Sequence, residues 1–349
     1  MLMMRSGMAR LALVTGATGF MAQHLVPDLI EEGWEVRASG RRARPGWLPP
    51  EVAYEAADLA GERALEALCD GADAVFHLAG ATSSLSSTEQ MHESNVVATT
   101  NVVTAARATG IGRFVHMGST SVYGEEVPLP QPVLESVEPH PSRGYGKAKW
   151  LAEEAVWNAA AEGLAAVVLR PVSVFGPGAV KLLSSAILDV AIEQYAGRES
   201  IQIEAAPVEL RLVHVADVTG AAMHLATAEG VTGQAFNVVT PWYPTSVEMA
   251  GMLAALFGMP VEETNEPGPG LDLAGRWSAW EGMRQDGMEG AILFTEERFR
   301  FLKKANLNNR LSVAALLATG YEFWYGNESD LTTGVAETID WYRAQRWIL

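Results

Sequence analysis

Thr15-Gly16-Ala17-Thr18-Gly19-Phe20-Met21-Ala22 follows the mainly apolar run Leu11 to Thr15 and leads into apolar residues at helical spacing from Met21 to Glu32. Strand, glycine turn and helix in that order put Gly16 at a tight bend and Gly19 where the backbone approaches a pyrophosphate. Ala22 is small enough for the helix to pack on the strand. The amides and dipole at the helix N-terminus favour phosphate oxygens. Gly16, Thr18, Gly19, Phe20 and Met21 are therefore the candidate cradle of a dinucleotide. An ordinary bend would also explain two glycines; their place between strand and helix favours the cofactor.

Outward from this turn, short β-branched runs alternate with longer helical patterns. Strands are predicted at Leu11 to Thr15, Glu35 to Ser39, Ala74 to Leu78, Arg113 to Met117 and Ala165 to Arg170, and helices at Met21 to Glu32, Met91 to Ala108 and Tyr145 to Ala161. Each helix is long enough to cross back over a sheet, so the fold class is α/β, a Rossmann-type doubly wound parallel sheet. From about Pro171 the pattern loosens, with Gly176-Pro177-Gly178 and Glu266-Pro267-Gly268-Pro269-Gly270 as punctuation. Residues 8–175 are expected to form the dinucleotide-binding domain, with 208–240 returning to it. Residues 176–207 and 241–349 are expected to form a smaller C-terminal substrate-binding lobe.

Composition narrows the function. Of the 349 residues, 48% are apolar and 19% charged, enough to build a large core. The formal charge of −17 opposes a phosphate backbone, so no nucleic-acid partner is expected. A single cysteine, Cys69, excludes a disulfide framework and suits a reducing compartment. The opening Met1 to Arg10 lacks the apolar core of a signal peptide, and no run approaches the ~20 apolar residues of a membrane span. A cytoplasmic protein with no membrane partner is expected. The seven histidines show no metal-ligand spacing, so no metal is expected.

The second strand decides the cofactor. Its run Val36-Arg37-Ala38-Ser39-Gly40-Arg41-Arg42 ends without the carboxylate that accepts the adenosine ribose hydroxyls of NAD. Arg41 and Arg42, with Ser39, offer charge-assisted hydrogen bonds to a 2′-phosphate. NADP (NADPH) is thus expected ahead of NAD, although a solvated arginine loop gives the same sequence. Asp58 and Leu59 are placed at the adenine edge. Leu78, Ala79 and Gly80 end a strand where the cofactor should lie, and His77 reads as core.

Phe114 to Met117 leads through Gly118 into the hydroxyl-rich Ser119-Thr120-Ser121-Val122-Tyr123-Gly124, and Tyr145-Gly146-Lys147-Ala148-Lys149 follows. Tyr145 and Lys149 stack on one helix face, where the ammonium can lower the phenol from its usual value near 10. Such a tyrosine protonates a carbonyl oxygen while Ser119 donates to the same oxyanion.

The ordered set TGATGFMA, DL, HLAG, STSVYG, YGKAK and RPVSVFGPG resembles the extended short-chain dehydrogenase/reductase family, which includes nucleotide-sugar epimerases and hydroxysteroid-type dehydrogenases. The resemblance is clear over residues 10–240 and fainter beyond, where Leu311 to Phe323 and Thr338 to Tyr342 look like closing helices. It implies Ser119, Tyr145 and Lys149 as catalytic and Asn95 as the residue ordering the active site; a helix cap explains Asn95 equally well. It implies Pro171 to Val174 as nicotinamide contacts, and Thr82, Ser119, Thr120, Ser121 and Ser173 as the substrate side. Paired helices of this family form a dimer, so a homodimer through Met91 to Ala108 and Tyr145 to Ala161 is expected.

The family's dehydratases carry an acidic pair where Thr120 and Ser121 stand, which disfavours dehydration. Its nucleotide-sugar enzymes carry Asn at Ser173 and an Arg seven residues before the aspartate of a strand like Val213 to Asp217. Here that place is Leu210, with Arg211 one residue on, a shift that on a strand turns the side chain to the other face unless a bulge restores it. An NADP-dependent carbonyl reductase or alcohol dehydrogenase acting on a small molecule is the reading that results. A nucleotide-sugar epimerase with tightly held NAD(P) is the alternative. A non-catalytic dinucleotide sensor or assembly protein is disfavoured by the presence of both Tyr145 and Lys149. No P-loop or Gly-x-Ser-x-Gly elbow is present. The later aromatics Trp242, Tyr243, Trp277, Trp280, Phe323, Trp324 and Tyr325 read first as core and second as a pocket lining.

Overall fold

Runs such as Ala74–His77 and Ala166–Pro171 are buried along their whole length, the pattern of strands covered on both faces. The computed structural model describes residues 9–61, 65–81, 87–124, 129–180, 183–204, 207–264, 271–289 and 309–349. In chain order the first elements are β1 (Leu11–Thr15), α1 (Ala22–Glu31), β2 (Glu35–Gly40), β3 (Ala53–Ala56), α2 (Glu66–Cys69) and β4 (Ala74–His77). Then come α3 (Thr88–His92), a π-turn (Glu93–Val97), α4 (Ala98–Thr109), β5 (Arg113–Met117), a 3-10 turn (Thr120–Tyr123), α5 (Gly144–Ala161) and β6 (Ala166–Pro171). Beyond these lie β7 (Ser173–Phe175), α6 (Leu183–Tyr195), β8 (Ile201–Glu204), β9 (Leu212–His214), α7 (Val215–Thr227), β10 (Ala235–Val238), α8 (Ser246–Leu256), β11 (Val261–Thr264) and α9 (Leu273–Gln285). A short α10 (Ala314–Leu317) and α11 (Glu328–Ala344) close the described chain.

Seven strands form one parallel sheet in the order β10-β6-β5-β4-β1-β2-β3. The chain winds one way from β1 and the other way from β4, so the strand order reverses between these neighbours, and ligands of such sheets sit at the carboxyl ends beside that reversal. Leu13 of β1, Val75 of β4, Val102 of α4, Phe114 of β5, Val156 of α5 and Val168 of β6 share one buried cluster that locks the helices onto this face.

Two compact units are defined. The first comprises Met1–Val172, Val215–Val238 and Asn309–Glu322; the second comprises Ser173–His214, Val239–Asn308 and Phe323–Leu349. The returning segment is thus 215–238, narrower than the 208–240 read from sequence, and 309–322 joins the sheet unit too. The second unit has its own core, with Phe175, Ile187, Met249, Trp280, Ile339 and Tyr342 among its members.

Three local expectations are corrected. The strand expected over Val213 to Asp217 stops at His214 and Asp217 lies in the first turn of α7, so Leu210 and Arg211 precede β9. Their facing cannot be argued from strand alternation. The helix expected from Met91 begins at Thr88, because Ser87 and Gln90 form a reciprocal capping box. The helix expected over Leu311 to Phe323 is a single turn, Ala314–Leu317, with Gly320 at φ 87° three residues beyond it.

Candidate functional site

At the β1–α1 turn Gly16 adopts φ 72°, and a Cβ there would lie 2.7 Å from the Ala79 amide nitrogen. Only glycine lets the turn sit against the end of β4. The Gly19 amide donates to the Gly16 carbonyl at 2.9 Å and the Ala17 amide to the Ser39 carbonyl at 2.9 Å. Thr18, Phe20 and Met21 are half-buried around this bend, and Gly19 is exposed. Ser39 is fully buried and its hydroxyl has no hydrogen-bond partner, so it holds the turn through its carbonyl and its side chain does not face solvent at the strand tip.

Gly40 ends β2 beneath Tyr54. A Cβ at Gly40 would stand 3.0 Å from Thr18 Cγ2 and 3.1 Å from the Tyr54 hydroxyl, so the acidic side chain that favours NAD has no space without a shift. The Tyr54 hydroxyl donates to the carbonyls of Gly40 (3.2 Å) and Arg42. Arg42 donates to the Thr18 carbonyl at 3.2 Å, and Arg41 is exposed beside it. Asp58 is exposed, with Oδ1 accepting the Ala60 amide at 3.2 Å, and Leu59 is buried. The residues present therefore fit a dinucleotide: a glycine turn at a helix start, a strand tip closed to a carboxylate, and two guanidinium groups beside that tip.

At the end of β4, Leu78 donates its amide to the Thr15 carbonyl at 3.3 Å. A Cβ on Gly80 would lie 2.5 Å from Asn95 Oδ1 and 3.4 Å from Lys149 Nζ, so Gly80 is the gap through which both side chains reach this edge. Asn95 is 1% exposed on the π-turn. Its Nδ2 donates to the Met91 carbonyl at 2.9 Å and the Ala81 carbonyl at 3.2 Å, and its Oδ1 has no hydrogen-bond partner.

Ser119 follows β5 and caps the 3-10 turn; its Oγ accepts the Ser121 amide at 3.2 Å and the Ser121 hydroxyl at 2.9 Å. The α5 helix runs close against this turn, since a Cβ on Gly146 would lie 2.6 Å from the Ser121 carbonyl. That approach brings the half-buried Tyr145 beside Ser119, whose hydroxyl favours the ionised phenol. One turn on, Lys149 lies 6.0 Å from the Tyr145 ring centroid, and its ammonium donates to the Met117 carbonyl at 2.7 Å. Thr120 donates to the Pro171 carbonyl at 3.4 Å.

The electrostatics differ from the sequence expectation. Burial pushes the Tyr145 phenol up to about 12, with the Ser119 hydrogen bond pulling it down. Burial also lowers the Lys149 ammonium to about 8, opposed by the nearby Glu153. Desolvation of the phenol thus dominates. His77 is buried between Thr15 Oγ1 (2.8 Å) and Thr99 Oγ1 (3.0 Å), and burial and then Lys149 lower it to about 3. It stacks at 5.5 Å on His116, which is lowered for the same reasons. Both imidazoles are neutral near pH 7.

Ser119, Tyr145, Lys149, Asn95 and Gly80 thus converge within the first unit. Pro171 belongs to that unit, whereas Ser173 and Val174 stand on β7 of the second. Thr82 lies outside the described residues. Tyr54, Glu153 and Arg170 were not found from sequence. A signal existed for Glu153: it extends the Tyr145–Lys149 spacing by another four residues, onto a face that is otherwise apolar.

The model of the NAD dependent epimerase/dehydratase family matches residues 12–238. The ceramide reductase of Caulobacter vibrioides is 27% identical over 341 residues, covering 96% of this chain and 95% of that protein. The 2-alkyl-3-oxoalkanoate reductase of Stenotrophomonas maltophilia is 34% identical over 188 residues, 49% of this chain and only 53% of that protein. MoeE5, solved in complex with UDP-glucose and NAD, superposes with a TM-score of 0.68 at 25% identity over 95% of this chain and 98% of that one. The glycine turn, the sheet that presents it and a match spanning well over half the sequence lead to one assignment: the chain belongs to the NAD-dependent epimerase/dehydratase family, within the extended short-chain dehydrogenases/reductases.

Proposed function

We propose that this protein is an NADP-dependent carbonyl reductase whose site is Ser119, Tyr145 and Lys149 and whose substrate is a diffusible carbonyl compound. The observation that carries the reading is the convergence of Ser119, Tyr145 and Lys149: the Ser119 turn runs against the start of α5, and the Lys149 ammonium lies 6.0 Å from the Tyr145 ring. When bound, NADPH supplies the hydride. The Tyr145 hydroxyl gives its proton to the carbonyl oxygen, and Ser119 donates a hydrogen bond to the charge developing there. A phenol near 12 is protonated at neutral pH, the form needed for reduction; alcohol oxidation would need the phenolate. Lys149 supplies positive charge beside the phenol as long as it keeps its proton, below about pH 8.

NADP is favoured by the closed tip at Gly40 and by Arg41 and Arg42 beside it. The near full-length likeness to a ceramide reductase supports a reductase, and that to a complex of UDP-glucose and NAD supports the epimerase alternative. The reading also takes the protein as a cytoplasmic homodimer joined through α4 and α5. Half-buried Trp150, Leu151 and Ala155 on α5 support the dimer, and a lone buried thiol at Cys69 suits a reducing compartment. Sedimentation velocity tests the dimer.

The test is parallel titration with NADPH and NADH, with Arg41→Ala/Arg42→Ala as control, followed by turnover of ethyl 2-methyl-3-oxobutanoate, a 3-oxo steroid and UDP-glucose. Tighter NADPH binding that the variant loses by roughly tenfold or more, with turnover of an oxo compound, supports the reading. Retained NAD with interconversion of UDP-glucose replaces it by the epimerase; binding of neither nucleotide replaces it by a non-catalytic role.

A further inference from the structure

Behind the site lies a buried charged cluster that the chemistry above does not use. Tyr145, Lys149 and Glu153 recur every four residues on α5 and so stack on one face. Glu153 has no exposure and is gripped by Arg170 of β6, whose Nε donates to Oε1 at 3.1 Å and Oε2 at 3.2 Å while Nη2 also reaches Oε1. Trp157 adds a donor to Oε1 at 3.1 Å.

The other arm of the guanidinium turns away from the helix. Nη1 donates to the Tyr123 hydroxyl at 2.9 Å and the Glu135 carbonyl at 3.1 Å. Tyr123 ends the 3-10 turn that Ser119 caps, and its hydroxyl donates to Asn237 Oδ1 of β10 at 2.7 Å. One planar group therefore holds both the helix of Tyr145 and Lys149 and the turn of Ser119. Buried ion pairs add little net stability over apolar packing of the same volume, so stability alone gives no account of this one. A fork with fixed donor directions does fix geometry.

We propose that Arg170 and Glu153 are the positioning pair of the Ser119, Tyr145 and Lys149 site, Arg170 clamping the Ser119 turn to α5 through Tyr123, and Glu153 supporting the charge of Lys149. The groups facing Lys149 are Tyr145 and Glu153 from α5, His77 from β4 and His116 from β5. Both imidazoles are neutral near pH 7, which leaves the Glu153 carboxylate as the charge that opposes the desolvation of the ammonium.

The kinetic part of the test rests on the reductase reading; the spectroscopic part does not. In full-length protein carrying 13C-lysine, the Lys149 Cε resonance is assigned with Lys149→Gln and titrated. In Glu153→Gln its midpoint is expected to fall by about one pH unit from the value near 8, and Glu153→Asp is expected to restore part of the drop. A midpoint unchanged in Glu153→Gln overturns the role of Glu153. Tyr123→Phe keeps the ring and removes the hydroxyl between Arg170 and Asn237. It is expected to lower kcat roughly tenfold at constant KM, since small misplacements of reacting groups reduce rate steeply. A lower melting temperature with unchanged kcat per folded molecule makes the contact merely structural and overturns the clamp.

Should Glu153→Gln not fold, Glu153→Met/Arg170→Met removes both charges without orphaning either. A smaller fall in midpoint, because the repelling Arg170 charge goes with the attracting Glu153 one, and the same loss of kcat are expected of it; a wild-type kcat overturns the proposal. If no carbonyl compound is turned over by the wild type, the reductase reading fails alone, and the Lys149 midpoint still judges the pair.

Discussion

Replacing Lys149 by Met is expected to give a stability advantage that shrinks as pH rises. Lys149 is 4% exposed, and its ammonium is lowered from 10.5 to about 8. At ~1.4 kcal/mol per pKa unit, keeping the charge in the folded chain costs on the order of 3 kcal/mol. The unfolded chain binds the proton more tightly, so the cost is fully present below pH 8 and disappears as pH rises toward 10.5. Methionine fills a similar length without charge, but it leaves the Met117 carbonyl without its donor, a loss of about 1–3 kcal/mol. The absolute advantage at pH 7 is therefore small, and the informative quantity is its pH dependence. Urea unfolding of both proteins from pH 7 to 9.5, taken as a difference so that other titrations cancel, should show the variant losing ~2 kcal/mol of relative stability over that range. A constant difference would mean that the ammonium is not held against desolvation, and the account of the site's charge would be wrong.

Tyr145→Phe should reduce kcat by roughly 10²-fold or more while changing the NADPH dissociation constant little, since on the proposed mechanism the hydroxyl acts in proton transfer; steady-state kinetics and fluorescence titration check it. Gly40→Ala should destabilise by about 1–3 kcal/mol through crowding at Thr18 and Tyr54, and Tyr54→Phe should relieve part of that in a double-mutant cycle read by urea unfolding. Gly16→Ala combines φ 72° with a contact to Ala79 backbone, so a loss of about 2–4 kcal/mol is expected, together with weaker NADPH binding by titration. Carbonyl reduction should weaken as pH rises through about 8, where Lys149 loses its proton, whereas alcohol oxidation should keep rising as the phenol near 12 begins to ionise. The two directions measured from pH 6 to 10 check this.

Much of the sheet was legible because most of its strands are largely buried and read as short, mainly apolar runs; β1 and β5 match their predicted bounds residue for residue. The short β3 escaped because Ala53, Tyr54, Glu55 and Ala56 are exposed or half-buried and carry no run. Asp217 was read into a strand because Val213 and Val215 are β-branched, yet tertiary context starts a helix at Val215. Of the site, the spacing of Tyr145 and Lys149 announced one helix face, and the hydroxyl turn announced Ser119. The direction of the phenol's shift was not legible, since desolvation depends on what closes over the ring and not on its neighbours in sequence. Ser39 was misjudged for a similar reason: its polarity suggested the strand tip, while packing buries it completely.

The strand order also constrains how the chain is made. β6 pairs on one side with β5, already synthesised, and on the other with β10, whose first residue is Ala235. Its bare edge must wait for more than sixty further residues, and at translation rates of about 5–20 residues per second this is roughly 3–13 s for a strand buried along its whole length in the finished fold. A nascent chain stalled anywhere between Pro171 and Ala235 would expose that edge to its neighbours on a polysome. Slow codons or a depleted holdase in this window should therefore lower soluble yield more than the same delay placed after Val238.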